Sequence, residues 1–183
     1  MAREDGLDPA VAAMRDGDEA AFRRVYRAVQ PPLLRYLTVL VGAADAEDVA
    51  SEAWAQAFRD LDRFDGDADG FRGWITTIAR HRALDHLRRA RRRPTSARPV
   101  EGMVELPDPA DVEGDTLGRV QSEAALALIA SLPRDQAEAV MLRTVLGFDA
   151  PTAARILGKS PGAVRAATLR GLRQLARRIS EEE

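Results

Sequence analysis

The chain has 183 residues, enough for one medium domain or two small ones, and 45% of them are hydrophobic, as in an ordinary globular protein. It has no cysteine, which excludes disulfides and thiolate metal sites. No run approaches the ~18 apolar residues that cross a bilayer, and Met1 to Asp8 lacks the basic and apolar regions of a secretory signal, so a cytoplasmic protein without membrane insertion is expected.

Apolar residues recur at three and four along almost every segment and nowhere alternate cleanly, so the expected fold is all-α. Asp8-Pro9 should open a short first helix as N-cap and first residue. Asp18 should cap a second, with Phe22, Val25, Tyr26 and Val29 on one face, interrupted at Pro31-Pro32 and taken up again by Leu33, Leu34, Leu37 and Leu40. Asp45 to Asp48 supplies a cap and first-turn acids for a third, whose buried stripe is expected to be Val49, Ala53, Trp54, Ala57, Phe58 and Leu61. After a Gly/Asp loop, Phe71, Trp74, Ile75, Ile78 and Leu87 mark a long helix ending in an arginine run. These segments make a first domain over residues 8–93.

Residues 94–116 hold four prolines, are acidic and have almost no apolar period, so they read as a flexible linker. Fully extended they span ~75 Å, about two turns of duplex DNA. A second domain over 117–180 opens with a helix through Ala124, Leu128, Ile129 and Leu132. Pro133 starts the next helix, which Gly147 ends, and a short one runs from Pro151 to Leu157. Gly158-Lys159-Ser160-Pro161 then supplies a turn glycine, an N-cap and a first-turn proline for a last helix to about Ile179, a helix-turn-helix pattern.

Net charge is only −2, but it is sorted into blocks. Nine arginines and one acid lie between Phe71 and Arg98, six acids and no base between Glu101 and Asp115, and seven bases and no acid between Arg155 and Arg178. Two basic blocks parted by an acidic one suit two surfaces for a polyanion. On the last helix Val164, Leu172 and Leu175 should face inward. Arg165, Leu169, Arg170 and Arg173 should face outward for base edges, with Lys159 and Ser160 near phosphate. A helical hairpin whose arginines merely solvate it is the alternative. Phe64 and Phe71 bracket the Asp65 to Gly70 loop beside the arginines, and such aromatics suit stacking on single-stranded bases.

That loop imitates the start of an EF-hand, but its twelfth position is Thr76, where calcium needs a Glu. His81 and His86 lie on different helix faces. With no phosphate loop and no nucleophile-base pair, neither catalysis, nor a cofactor, nor a small-molecule substrate is expected.

Taken together, the stretches Asp45-Ala-Glu-Asp-Val-Ala-Ser-Glu-Ala-Trp, Phe58-Arg-Asp-Leu-Asp-Arg-Phe and Phe71-Arg-Gly-Trp-Ile-Thr-Thr-Ile-Ala-Arg-His resemble region 2 of the extracytoplasmic-function (ECF) sigma factors of the sigma-70 family. Ser131-Leu-Pro-Arg-Asp-Gln and Leu157-Gly-Lys-Ser-Pro-Gly-Ala-Val-Arg resemble region 4. The resemblance implies a subunit that directs core RNA polymerase to promoter DNA. Asp45, Glu47, Asp48 and Glu52 would dock on the largest subunit's clamp helices. Phe64, Asp65, Asp67, Asp69 and Phe71 would receive a base flipped from the minus-10 element, and Arg80, His81, Arg88 and Arg89 would hold the adjacent phosphates. Lys159, Ser160, Arg165, Leu169, Arg170 and Arg173 would meet the minus-35 element. The second-subunit flap and an anti-sigma factor are further implied partners. Ala166-Ala167-Thr168 stands where many relatives carry Ser-Arg-Leu, and Thr152 where a Glu is usual, which shifts the expected minus-35 readout toward Arg165 and Arg170. A stand-alone helix-turn-helix regulator is the competing reading, and it leaves the acidic helix and aromatic loop of the first domain without a role.

Overall fold

A computed structural model describes residues 7–92 and 116–182. The expected linker, residues 94–116, lies outside the described residues but for Thr116. Every described element is helical: α1 (Leu7–Arg15), α2 (Glu19–Val41), α3 (Ala43–Arg59), a 3₁₀ turn (Leu61–Arg63), α4 (Ala68–Arg92), α5 (Thr116–Ala130), α6 (Arg134–Val140), a π turn (Met141–Val145), α7 (Ala150–Leu157) and α8 (Pro161–Glu182).

Helix α2 is the spine. Its residues Val25, Val29, Leu33, Tyr36 and Leu37 are buried along one face. Four of the six buried residues of α3 are alanines (Ala46, Ala50, Ala53, Ala57), small side chains that suit close helix packing. Phe71, Ile75, Ile78, Ala79 and Ala83 of α4 close this core. Trp54 of α3 donates its indole N–H to Gln30 of α2 at 2.8 Å, which satisfies the one polar atom of a buried ring.

Several start signals behave as expected. The Asp18 carboxylate accepts from the amides of Ala20 and Ala21 at 2.8 and 3.1 Å and so caps α2. Others are corrected. Asp8 lies inside α1, and its carboxylate accepts from the Ala68 amide at 2.8 Å, helping to cap α4 sixty residues away. Helix α3 starts at Ala43 behind Gly42 with no side-chain cap, so Asp45 is a first-turn acid only. Helix α2 runs unbroken through Pro31-Pro32. The prolines remove the donors that would reach the carbonyls of Arg27 and Ala28, but Pro31 and Arg27 face water, and burial on both sides of the pair holds one axis. Phe58 is 66% exposed rather than buried: it lies a step of four beyond Trp54, at the edge of the stripe whose buried centre runs through Ala53, Ala57 and Leu61.

In the second half, Val140, Met141 and Leu142 are fully buried against Ala153, Ala154, Val164 and Ala167 of α7 and α8. The inward stripe of α8 is Val164, Ala167 and Gly171, and Leu172 stands 41% exposed instead of packing inward. Gly171 sets this geometry: a Cβ there would meet Val140 Cγ2 at 2.7 Å, so α6 and α8 touch backbone to side chain. Gly171→Ala gains up to ~1 kcal/mol of helix propensity but forces ~1–3 kcal/mol of overpacking. A net loss of stability is expected, read as a lower thermal midpoint.

The two halves are not separate. Helices α5 and α6 lie against α2, and α7 lies against α4.

Candidate nucleic-acid interface

The turn before α8 is built from three residues in sequence. Gly158 adopts φ +64°, which a side chain resists, and its amide closes back on α7. Lys159 follows exposed, donating its amide to Ala154 at 2.9 Å. Ser160 Oγ accepts from the Ala163 amide at 3.2 Å, capping α8. The helix is thereby fixed across α7 with its first turns in water. Arg165, Leu169, Arg170 and Arg173 are all exposed, and Leu169 and Leu172 put apolar surface between the arginines. Arg170 lies 3.9 Å from Asp135, at the limit of an exposed ion pair, which contributes little.

The three residues that stand where the resemblance leads one to expect Ser-Arg-Leu offer no side-chain donor to a groove. Ala166 is exposed but has nothing to donate, Ala167 is buried, and the Thr168 hydroxyl donates to the Val164 carbonyl at 2.9 Å. Thr152 serves α7 itself: its amide donates to the Asp149 carboxylate at 2.7 Å. That bond holds the Asp149 carboxyl below its ordinary value of 3.8. A lowered folded value means that the cap is fully present above the ordinary one and is lost as pH falls through the lowered one.

The loop before α4 uses its acids structurally. Asp65 lies 3.4 Å from Arg15, Asp67 accepts from the Gly70 amide at 2.7 Å as the cap of α4, and Asp69 lies 3.3 Å from Arg72. Phe64 and Phe71, expected beside a base, are 7% and 1% exposed and meet edge to face at 5.5 Å beneath the loop. Gly66 lies directly on the Phe64 ring, where a Cβ would come within 2.9 Å. The aromatic that reaches the surface here is Trp74, half-buried and stacked on Phe64 at 5.1 Å. It lines a cleft of about 720 Å³ with Asp67, Gly70, Arg72, Phe148 and Arg155. Among the sequence expectations Trp74 only marked the apolar side of α4, and one face of its ring does pack there.

Along α4 the basic residues divide. His81 and Arg88 lie on an exposed stripe, with Arg88 paired to Asp85 at 2.8 Å. Arg82, His86 and Arg89 turn toward α3 and meet Gln56, Asp45 and Glu52 at 2.7, 3.1 and 3.8 Å. Arg80 points the other way, donating to Glu138 of α6 at 2.6 Å. Of the four acids expected to dock a partner, Asp45 and Glu52 are therefore already paired. Glu47 and Asp48 are exposed and have no ion-pair partner among the described residues. Phe58 of α3 and Phe22 and Tyr26 of α2 form an outward aromatic group, with Phe22 6.0 Å from each of the other two rings.

Family models for sigma-70 region 2 and sigma-70 region 4 match residues 25–93 and 122–175. The chain is 36% identical over 181 residues to the ECF RNA polymerase sigma factor ShbA of Streptomyces griseus, covering 91% of each chain. It is 32% identical over 180 residues to the ECF sigma factor SigD of Mycobacterium tuberculosis, covering 92% of this chain and 82% of that one. It is 31% identical to the ECF sigma factor BldN of Streptomyces coelicolor, of which it spans 63%. The fold is similar to that of CnrH in complex with the cytosolic domain of CnrY (TM-score 0.68, 21% identity, 97% and 99% of the two chains). It is also similar to RpoE in complex with the anti-sigma factor NepR from Bartonella quintana (TM-score 0.67, 22% identity, 88% and 98%).

Proposed function

The chain belongs to the ECF group of the sigma-70 family, and from that premise we propose how its surfaces divide the work of an alternative sigma factor. Glu47, Asp48 and the Phe58 group on the outer side of α3 and α2 dock on the clamp helices of core polymerase, acidic and apolar surface meeting a basic partner; Asp45 and Glu52 hold α4 in place behind them. The loop from Asp65 to Gly70 receives the flipped minus-10 base, and Trp74 offers the stacking face that Phe64 and Phe71 support from below. His81, Arg88 and Arg89 follow the adjacent phosphates. Unstacking a base costs a few kcal/mol, which contacts made in the polymerase complex offset, so no nucleotide hydrolysis or catalytic group is needed.

The second unit reads the minus-35 element through α8. The observation that carries this reading is the capped turn at Gly158 to Ser160, which presents Arg165, Arg170 and Arg173 outward on a helix free of acids up to Arg178. A cytoplasmic location goes with such partners, and among the described residues no helix is long and apolar enough to cross a membrane. RpoE, whose fold is similar, is in complex with the anti-sigma factor NepR, which supports adding an anti-sigma factor to the proposed partners.

A mobility-shift assay tests this. Promoter duplex should shift with core polymerase plus the chain and not with the chain alone. Equal affinity of the chain alone would favour a stand-alone regulator.

A further inference from the structure

The cleft of about 720 Å³ beside Trp74 is walled by α4 on one side and by α7 with the turn before it on the other. Its volume is that of a small-ligand site, roughly 300–1,000 Å³. Both walls are held stiffly. Trp74 is backed by the Phe64 ring at 5.1 Å, which leaves its other indole face to the cleft. Opposite, the π turn Met141–Val145 leads to Gly147 at φ +72°, and π turns gather at functional sites. Arg143 donates to the Phe148 carbonyl, and Arg72 donates to the Leu146 carbonyl at 2.6 Å while its guanidinium lies 5.5 Å from the centre of the Phe148 ring. Walls fixed in advance lower the ordering cost of binding.

The charged groups around the cleft decide what it can hold. Three carboxylates, Asp67, Asp69 and Asp149, face two guanidiniums, Arg72 and Arg155. Arg72 is already held by Leu146 and by Asp69 at 3.3 Å. Arg155 is exposed, donates to the Thr152 hydroxyl at 3.1 Å and has no ion-pair partner among the described residues. Asp67 accepts from the Gly70 amide through Oδ1, and its other oxygen has no donor among the described residues. A bare anion suits this balance poorly. A better fit has an aromatic plane for Trp74, one anionic group for Arg155 and an edge of hydrogen-bond donors for a carboxylate.

We propose that the cleft binds a guanine mononucleotide, with its base stacked on Trp74, its phosphate on Arg155 and its N1–H and 2-amino donors on Asp67. Bases stack readily on aromatic side chains, and arginine matches phosphate with two parallel bonds. Asp67 stands seven residues before Trp74 and so on the same side of α4. Among the common bases guanine alone turns two adjacent donors toward a carboxylate, which only accepts. Adenine sets the lone pair of its N1 in the same place and is repelled. The stacking face comes from the first half of the chain and the cation from the second, so neither half makes the site by itself.

This inference does not rest on the promoter reading, and it is tested on the full chain without polymerase or DNA. The chain has two tryptophans. Trp54 is 8% exposed and bonded to Gln30, so a change in indole emission on adding GMP reports Trp74. The change should saturate with GMP, and GMP should bind about tenfold or more tightly than AMP, guanosine or inorganic phosphate. Arg155→Gln should bring GMP down to the affinity of guanosine, and GMP should raise the thermal midpoint of the parent but hardly that of this variant. Asp67→Asn keeps a good N-cap for α4 and should lose the preference for GMP over AMP. No saturable change with millimolar GMP, equal affinity of the parent for AMP, or unchanged GMP affinity in Arg155→Gln overturns the site. Should Asp67→Asn lose its helical circular dichroism, IMP puts the same question to the parent, because it lacks the 2-amino group, and IMP bound as tightly as GMP overturns the guanine assignment.

Discussion

Arg165→Ala is expected to weaken promoter-dependent initiation by about 1–3 kcal/mol of binding, a factor of roughly five to one hundred and fifty, at promoters that depend on the minus-35 element. The reasoning begins with what its neighbours lack. Ala166 has no donor, Ala167 is buried and the Thr168 hydroxyl is spent on the helix backbone. A guanidinium can make two parallel bonds to a guanine edge, and Arg165 stands in the first turns of α8 where such an edge is met. Lys159→Ala serves as the contrast. A phosphate contact carries no sequence information, so that loss should be similar on every promoter and should reduce the salt slope by about one. Abortive-initiation rates on a series of minus-35 variants at several salt concentrations separate the two. An Arg165→Ala chain that initiates like the parent on all of them removes this residue from the readout.

Phe58→Ala is expected to lower affinity for core polymerase by about 2 kcal/mol, some thirtyfold, while leaving the fold almost untouched. An aromatic ring that is 66% exposed contributes little to the core, so truncation should cost no more than ~0.5 kcal/mol of stability. Its value lies in what covers it. Phe58 and Tyr26 flank Phe22, with the Glu47 carboxylate near enough to Tyr26 to raise its pKa, and a large ring desolvated at the centre of an interface is the usual source of its binding energy. Anisotropy titration of the labelled chain with core, set beside a thermal melt, gives both quantities. Reduced stability with undiminished affinity would return Phe58 to a structural role.

What the sequence showed and what it hid divide by range. Asp18, Gly158, Ser160 and Pro161 act on residues within four positions, and each does in the structure what its local chemistry suggests. Local signals failed where a distant partner outweighed them. Pro31-Pro32 reads as a break, yet burial of Val29, Leu33, Tyr36 and Leu37 keeps α2 helical through it. Asp8 looks like the cap of its own helix and instead reaches Ala68. Periodicity named the inward faces correctly in outline, but a stripe read only in steps of three and four admits a neighbour too many, as Phe58 and Leu172 show.

The same rule holds for the candidate site. The arginines of α8 were legible because nothing folds over them. The pairing of Arg80 was not, because the group that holds it lies 58 residues away in a helix with no feature that marks Glu138 as its partner. Tyr36, buried in the same region, titrates far above the normal tyrosine range through burial and the Glu138 charge, and so stays neutral. Trp74 was hidden by its double duty, with one face against Phe64 and the other toward the cleft.

The most direct measurement is run-off transcription with purified core polymerase and a template carrying a spaced pair of promoter elements. Adding the chain should produce one defined transcript, which disappears when either element is scrambled. Failure to associate with core, or transcripts whose starts are as scattered with the chain as without it, would contradict the account.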